Sequence, residues 1–384
     1  MRIIHVADSF PPDVGGIERQ VETLARRQTA EGHDVTVITA VAEQGAVDRD
    51  LTVARAAEGR WLTVAFPWRN HAMVADLLDG PQVDIVHAHF TVVSPLAIFV
   101  TREASRRGIP VAITVHSLWW KVAIATRVST LPFGWGRMRA AWSAVSSVAA
   151  EHVQRTLLSV DEVSVLPNLV DTPWWVNPRP VLTKETPQRE VRLVLVGRLK
   201  KRKHVDEFLD ALAEARKQVP PGTRVKVSIL GDGPRRKDLL AQVERLGLSD
   251  WVHFLGYHPS GDIKDVFHES DLFVASSRQE AFGIAALEAR SAGLPVIGYR
   301  PNGLSDFITD GVDGVLVADG AGMADALATL IGRPDELHRL RVNAATLPPR
   351  VCPEDAVRAE TKLYERARAM HHERRRPILR SVAR

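Results

Sequence analysis

The chain predicts an α/β protein built as two doubly wound domains facing one another across a cleft. Short apolar, β-branched runs alternate with helical stretches along its 384 residues, the pattern of parallel sheets covered on both faces. The series runs twice, its second half opening at Arg192-Leu-Val-Leu-Val-Gly-Arg198. Between the halves lies a proline-rich joint, roughly 170–189, with Pro173, Pro178, Pro180 and Pro187. A chain of this length makes two domains of ordinary size. The expected boundaries are a first domain over 1–170, a linker over 171–189 and a second domain over 190–353. A helix about 354–370 is expected to pack back on the first domain, ahead of a basic tail over 371–384.

In the first half, Arg2 to Asp8 reads as a strand ending at Ser9-Phe-Pro-Pro-Asp-Val-Gly15-Gly16. A helix follows, with Ile17, Val21, Leu24 and Gln28 on one face and Gly32 as its stop. Val35 to Thr39 is the next strand, so the opening is a βαβ unit. Asp84–Phe90 and Pro110–Ser117 add strands, and Val163–Asn168 closes the half. In the second half, strands follow at Lys226–Leu230, Val252–Gly256, Leu272–Ala275 and Pro295–Gly298.

Composition excludes several classes. With 45% apolar and 25% charged residues the chain is an ordinary globular protein. It opens directly into a strand pattern and no run approaches a membrane span, which predicts a cytoplasmic protein. Cys352 is the only cysteine, so intramolecular disulfides and thiolate metal sites are excluded. The net charge of +4 and the Arg-rich tail invite a nucleic-acid reading, but no helix-turn-helix, zinc or RNA-binding aromatic motif accompanies them. Between Glu103 and Glu151 no Asp or Glu occurs, while Arg106, Arg107, Lys121, Arg127, Arg137 and Arg139 share the stretch with four tryptophans. Segment 104–150 thus suits an anionic membrane surface or phospholipid; the competing reading puts the aromatics in the core.

The most informative run is Glu280-Ala-Phe-Gly-Ile-Ala-Ala-Leu-Glu288. Glu280 follows a strand, in the loop where open α/β sheets bind ligands. Glu288 lies on a helix from Ile284 to Ser291 where Ile284, Ala285, Ala286, Leu287 and Ala289 leave almost no polar face, so its carboxylate needs donors. Sugar or ribose hydroxyls would serve; so would backbone or an arginine. At the end of the second half's first strand, five cations fall in the six positions Arg198 to Lys203. Arg198 can fork onto phosphate oxygens, Lys203 adds a point charge, and a helix beginning near Val205 aims its amides there. A solvated turn is the alternative. Gly15-Gly16 fits either a tight turn or an anion-binding loop, without the GxGxxG pattern of dinucleotide sites. His116 ends a strand, in a structural or a ligand-binding role. His87 and His89 share a face but, without a carboxylate or cysteine alongside, make a poor metal site. Asp48-Arg-Asp50 is assigned no metal.

In order and spacing, the Gly-Gly loop, Val-His116-Ser, Pro-Asn168, Gly197-Arg198…Lys203 and Glu280…Glu288 resemble the retaining glycosyltransferases of family 4, with their GT-B fold of two Rossmann-like domains. Thr114–Trp119 and Val163–Asp171 are similar to the branch that includes the N-acetylglucosaminyl-phosphatidylinositol synthases; bacterial mannosyl- and glucosaminyl-transferases also resemble it. The resemblance implies that Arg198 and Lys203 bind the donor diphosphate and that Glu288 holds the ribose. It implies that Glu280 contacts the transferred sugar beside the amides of Ala281, Phe282, Gly283 and Ile284. Gly15 and Gly16 would let the first helix reach the diphosphate, and His116 would contact the sugar near its reacting carbon. Gly256, Tyr257 and His258 fall at the base-binding loop.

These implications make His116, Glu280, Arg198 and Lys203 the catalytic candidates, with no metal or cofactor expected. The donor is expected to be a nucleoside-diphosphate sugar, UDP-N-acetylglucosamine before GDP-mannose, and the acceptor a sugar, polyol or lipid. A sugar-nucleotide epimerase and a non-catalytic binding module are the alternatives. The first would need its own acid and base at the sugar; the second could lose Glu280 or Arg198.

Overall fold

The computed structural model describes residues 1–13, 15–42, 50–56, 63, 65–119, 139–157, 160, 162–178 and 190–375, with side chains as far as 371. The chain forms two compact units, Met1–Leu169 with Glu354–Arg384, and Val170–Pro353.

The first unit carries β1 (Arg2–Ala7), α1 (Gly16–Ala30), β2 (Asp34–Thr39), β3 (Thr52–Arg55), α2 (His71–Asp79), β4 (Ile85–Phe90), α3 (Pro95–Arg106), β5 (Val111–Val115), β6 (Ala141–Ala144), α4 (Ser147–Thr156) and β7 (Val163–Val165). Its seven strands are parallel, in the order β3-β2-β1-β4-β5-β6-β7. β4 and β5 are buried at every position, as both-face coverage requires.

The second unit carries α5 (Thr172–Trp175), β8 (Val191–Val196), α6 (Val205–Gln218), β9 (Val225–Leu230), α7 (Arg236–Arg245), β10 (Val252–Gly256), α8 (Ser260–Glu269), β11 (Leu272–Ala275), α9 (Ile284–Ser291), β12 (Val296–Tyr299), β13 (Gly314–Val317), α10 (Gly320–Gly332) and α11 (Pro334–Thr346). Its six parallel strands run β10-β9-β8-β11-β12-β13. The last helix, α12 (Pro353–Arg375), sends Leu363, Tyr364 and Ala367 into the first unit's core beside Ile3, Val21 and Ile85. It also takes in the start of the stretch expected to be a basic tail.

Each sheet reverses strand order once, between β1 and β4 and between β8 and β11, and each reversal is fastened alike. Asp84 accepts from the Arg2 amide at 2.7 Å, and Asp271 accepts from the Arg192 amide at 2.8 Å. These ties lie at the strands' amino ends; ligands in open α/β sheets bind at such switch points on the opposite, carboxyl side.

Three strands escaped the sequence reading. β3 is only partly buried beyond its exposed first residue, so it lacks the apolar run that marks the inner strands. β6, Ala-Trp-Ser-Ala, and β13, Gly-Val-Leu-Val, are four residues each and include Ser or Gly, which weakens the apolar run. The expected strand Val163–Asn168 pairs only as far as Val165.

The second unit is tied by a buried ion pair. Arg290, on α9, donates to Asp313 at 2.9 Å, with both side chains almost fully enclosed, and to the Leu347 carbonyl at 2.8 Å. Burial alone would lower the Arg290 pKa, and Asp313 opposes that shift. Arg290→Met leaves Asp313 without its cation, and removing one partner of a buried pair costs about 3–5 kcal/mol. We predict a loss of that size in urea denaturation of the intact protein. A shift below about 1 kcal/mol would mean that Asp313 finds another donor.

Candidate active site

The site residues of the second unit gather at the carboxyl ends of β8 and β11. After β8 come Gly197 and the half-buried Arg198, then a 3₁₀ turn over Lys201–Lys203. His204 follows in the left-handed region at φ 49°, a conformation uncommon among non-glycine residues. It turns the chain from Lys203 directly into α6. Lys203 Nζ donates to Glu280 Oε2 at 2.6 Å, across the two adjacent strand ends, with side chains 30% and 22% exposed. Ser276 Oγ donates to the Lys203 carbonyl at 2.6 Å and ties the same loops a second time. The cation expected at phosphate and the carboxylate expected at sugar are therefore in direct contact.

Close backbone packing sets this geometry. A Cβ on Gly231 would lie 2.0 Å from the Gly197 carbonyl, at a φ of 130° that already disfavours a side chain. The loop carrying Arg198 thus rests on the turn after β9. The Glu280 loop rests on a turn at 302–304, where the Gly303 amide donates to the Glu280 carbonyl at 2.9 Å. Buried Asn302 holds that turn: its Oδ1 accepts from the Leu304 amide at 2.9 Å and its Nδ2 donates to the Ser277 carbonyl at 3.4 Å. Gly283, at φ 97°, is the N-cap of α9, so Ala281, Phe282, Gly283 and Ile284 lead the helix away from Glu280. Phe282 is buried with its ring 5.5 Å from that of Phe307, while Ala281, Gly283 and Ile284 keep some exposure. Glu288, on α9, is 5% exposed. A helix N-terminus and the Lys203 ammonium beside the Glu280 carboxylate can receive an anion bearing a hydroxylated group. Tyr257, at the end of β10, exposes its ring.

In the first unit, Gly15 is the N-cap of α1 and Gly16 its first residue, so neither brings a side chain to that helix start. His116 follows β5, its amide bonded to the Phe90 carbonyl at 2.8 Å. Its Nε2 meets His89 Nδ1 at 3.0 Å. His87 and His89, expected as a pair, are joined by His5, from β1, in one buried group. All six ring nitrogens of the three are engaged in hydrogen bonds, to one another, His116, Gln28, Tyr364 and Thr114. Polar residues inside a strand's apolar run were the signal available for this group.

The acid-free segment divides. Trp119 and Trp142 are 2% and 1% exposed, as core residues are. Arg106 and Arg107 both pair with Glu103 at 2.6 Å, just ahead of the segment, and Arg107 also pairs with Asp79 at 2.7 Å. Trp119 and Trp142 thus follow the core reading. Trp120, Lys121, Arg127, Trp135 and Arg137 lie outside the described residues, as does Asp48. Among the described residues no helix is long and apolar enough to cross a membrane. A cavity of about 810 Å³ in the second unit, lined by Arg192, Ser270, Leu294 and Arg341 among others, sits at the amino ends of the strands and includes none of the site residues.

Both halves of the chain match known families. Residues 14–174 match the family described as Glycosyltransferase Family 4, and residues 183–346 match Glycosyl transferases group 1. The chain is a glycosyltransferase of the GT-B fold, with one of these domains in each half, and it transfers a sugar from a nucleotide sugar. A phosphatidylinositol N-acetylglucosaminyltransferase subunit of Arabidopsis thaliana is 27% identical over 95% of this chain and 78% of that protein. Glycogen synthase of Mycobacterium tuberculosis is 27% identical over 90% of this chain and 89% of the relative. The structure of Anabaena HepE in complex with UDP and glucose superposes with a TM-score of 0.72 at 20% identity, over 96% of this chain and all of that one.

Proposed function

We propose that the protein is a retaining transferase that moves a hexose or N-acetylhexosamine, with N-acetylglucosamine on UDP favoured, to the hydroxyl of a polyol or lipid acceptor. The observation that carries the donor half is the 2.6 Å contact of Lys203 with Glu280. A nucleoside-diphosphate sugar offers a partner to each: phosphate oxygens for Lys203 and Arg198, sugar hydroxyls for Glu280. The charge of the departing diphosphate grows as the bond breaks, and fixed cations with a helix N-terminus stabilise it in the transition state. In this reading Glu288 holds the ribose, and the amides from Ala281 to Ile284 lie beside the sugar. From the first unit, Gly15 and Gly16 serve the diphosphate, and His116 serves the sugar near its reacting carbon. The bond from the anomeric carbon to the phosphate oxygen breaks while one to the acceptor oxygen forms on the same face. The acceptor's proton passes to the departing phosphate oxygen, so no protein nucleophile is needed.

The choice of UDP and N-acetylglucosamine is supported by the plant relative's name and by the UDP in HepE. GDP-mannose is the rival donor. Thermal-shift measurements with UDP, GDP and their sugars separate the two, because a ligand bound only by the native state raises the melting temperature. At one hundred times its Kd, such a ligand stabilises by about 2.7 kcal/mol. A shift with UDP and UDP-N-acetylglucosamine is expected; a shift confined to GDP and GDP-mannose would replace the donor. Interconversion of sugars without UDP or GDP release would make the protein an epimerase, and silence throughout the panel would make it a binding module.

A further inference from the structure

Behind His116, inside the first unit, runs a hydrogen-bonded chain whose polarity can be followed from its far end. Glu360, on α12, is engaged by Arg27 through one carboxylate oxygen and by Gln28 Nε2 at 2.5 Å through the other. Burial raises the Glu360 pKa, and Arg27 and Gln28 oppose it. A carboxylate only accepts, so Gln28 must turn its amide nitrogen toward Glu360, which leaves Oε1 facing His5. Gln28 Oε1 lies 2.7 Å from His5 Nε2, and an amide oxygen only accepts, so that nitrogen carries the proton. The neutral ring then has a bare Nδ1, 2.9 Å from His89 Nε2, which must donate. His89 Nδ1 is therefore bare, and it accepts from His116 Nε2 at 3.0 Å.

The side branch obeys the same order. Gln28 gives its second N–H to the Tyr364 hydroxyl at 3.0 Å, and Tyr364 donates to His87 Nδ1 at 3.0 Å. His87 Nε2 then donates to Thr114 Oγ1 at 2.7 Å, and that hydroxyl to Ser143 Oγ at 2.8 Å. Every group finds a partner in one consistent direction. Neutral rings are required, and burial supplies them: it lowers the His5 and His116 pKa values to about 4 and holds His87 and His89 well below the usual histidine range.

We propose that Glu360 and Gln28 are positioning residues that lock His116 in the tautomer with its proton on Nε2, leaving Nδ1 as a bare lone pair. The catalytic meaning rests on the function proposed above. Positive charge gathers on the sugar ring as its bond to phosphate breaks, as in glycoside chemistry generally. A lone pair turned toward that charge stabilises it, whereas an N–H in the same place opposes it. A side chain on the last helix thereby sets the dipole of the histidine at the end of β5.

Glu360→Gln tests this with almost no change of shape. Arg27 claims the amide oxygen of the new side chain, so its NH₂ faces Gln28 and forces that amide to turn over. Each bond of the chain then reverses, and His116 carries its proton on Nδ1. Two-bond nitrogen couplings of histidine-labelled protein report the tautomer directly, with the His116 signal assigned by its loss in His116→Gln. We expect Nε2–H in the native protein and Nδ1–H in Glu360→Gln. Nε2–H should return in the double variant Gln28→Glu/Glu360→Gln, where a carboxylate again accepts from His5. A native Nδ1–H tautomer, or one tautomer in all three proteins, overturns the proposal. Turnover of Glu360→Gln should fall about tenfold, the equivalent of one hydrogen bond of about 1.4 kcal/mol, with UDP affinity unchanged. Reversal of the tautomer with normal turnover would leave the relay standing and remove His116 from the proposed chemistry.

Discussion

Glu280→Gln is expected to cut sugar transfer by about 10²–10³-fold, the loss typical when one preorganised polar contact to a transition state is removed. Binding of the nucleoside diphosphate should not fall with it. Glu280 pairs with Lys203 at 2.6 Å, and any donor phosphate must compete for that ammonium. Neutralising the carboxylate releases the cation. Half-exposed ion pairs are worth about 0–1 kcal/mol, so affinity for UDP should stay level or rise up to about fivefold. Calorimetry with UDP and initial rates with UDP-N-acetylglucosamine give the two readings separately. Weaker UDP binding would mean that Glu280 serves the nucleotide, and normal turnover would remove it from the site.

The second half of the chain was the more legible in sequence because its site is written in local spacing. The helix expected over Ile284–Ser291 is observed over those same residues, since Gly283 permits its entry and Gly293, at φ 84°, its exit. The strand before it and the helix beginning at Val205 were equally readable from their apolar runs. The supports of the site were not. Asn302 and Gly303 come from a turn after the next strand and touch Glu280 only through tertiary packing. Gly231 serves the site through backbone contact with Gly197, which follows a different strand. In the first unit the histidine chain joins β1, β4, β5, α1 and α12, so no window of sequence contains it. For the Trp/Arg segment, composition records which residues occur together, and burial decides whether they face water. Trp119 and Trp142 are in the core.

Lys203→Met should damage both steps that Glu280→Gln separates. Loss of a charge-assisted hydrogen bond of about 1.5–3 kcal/mol weakens UDP binding by roughly 10–150-fold. Turnover should fall by a further 10²–10³-fold or so, because the departing diphosphate gains charge while one of its cations is missing. Arg198→Ala should act in the same direction. The pair geometry adds a sharper expectation. In Lys203→Met, Glu280 keeps its charge without its ammonium and repels the diphosphate, so part of the lost affinity is repulsion. Adding Glu280→Gln removes that part. The double variant Lys203→Met/Glu280→Gln should therefore bind UDP more tightly than Lys203→Met alone while transferring no more sugar. Contacting residues couple by about 0.5–3 kcal/mol, which a double-mutant cycle on UDP affinity resolves. Strict additivity in that cycle would mean that the 2.6 Å contact does not govern donor binding, and Lys203 would then act on phosphate independently of Glu280.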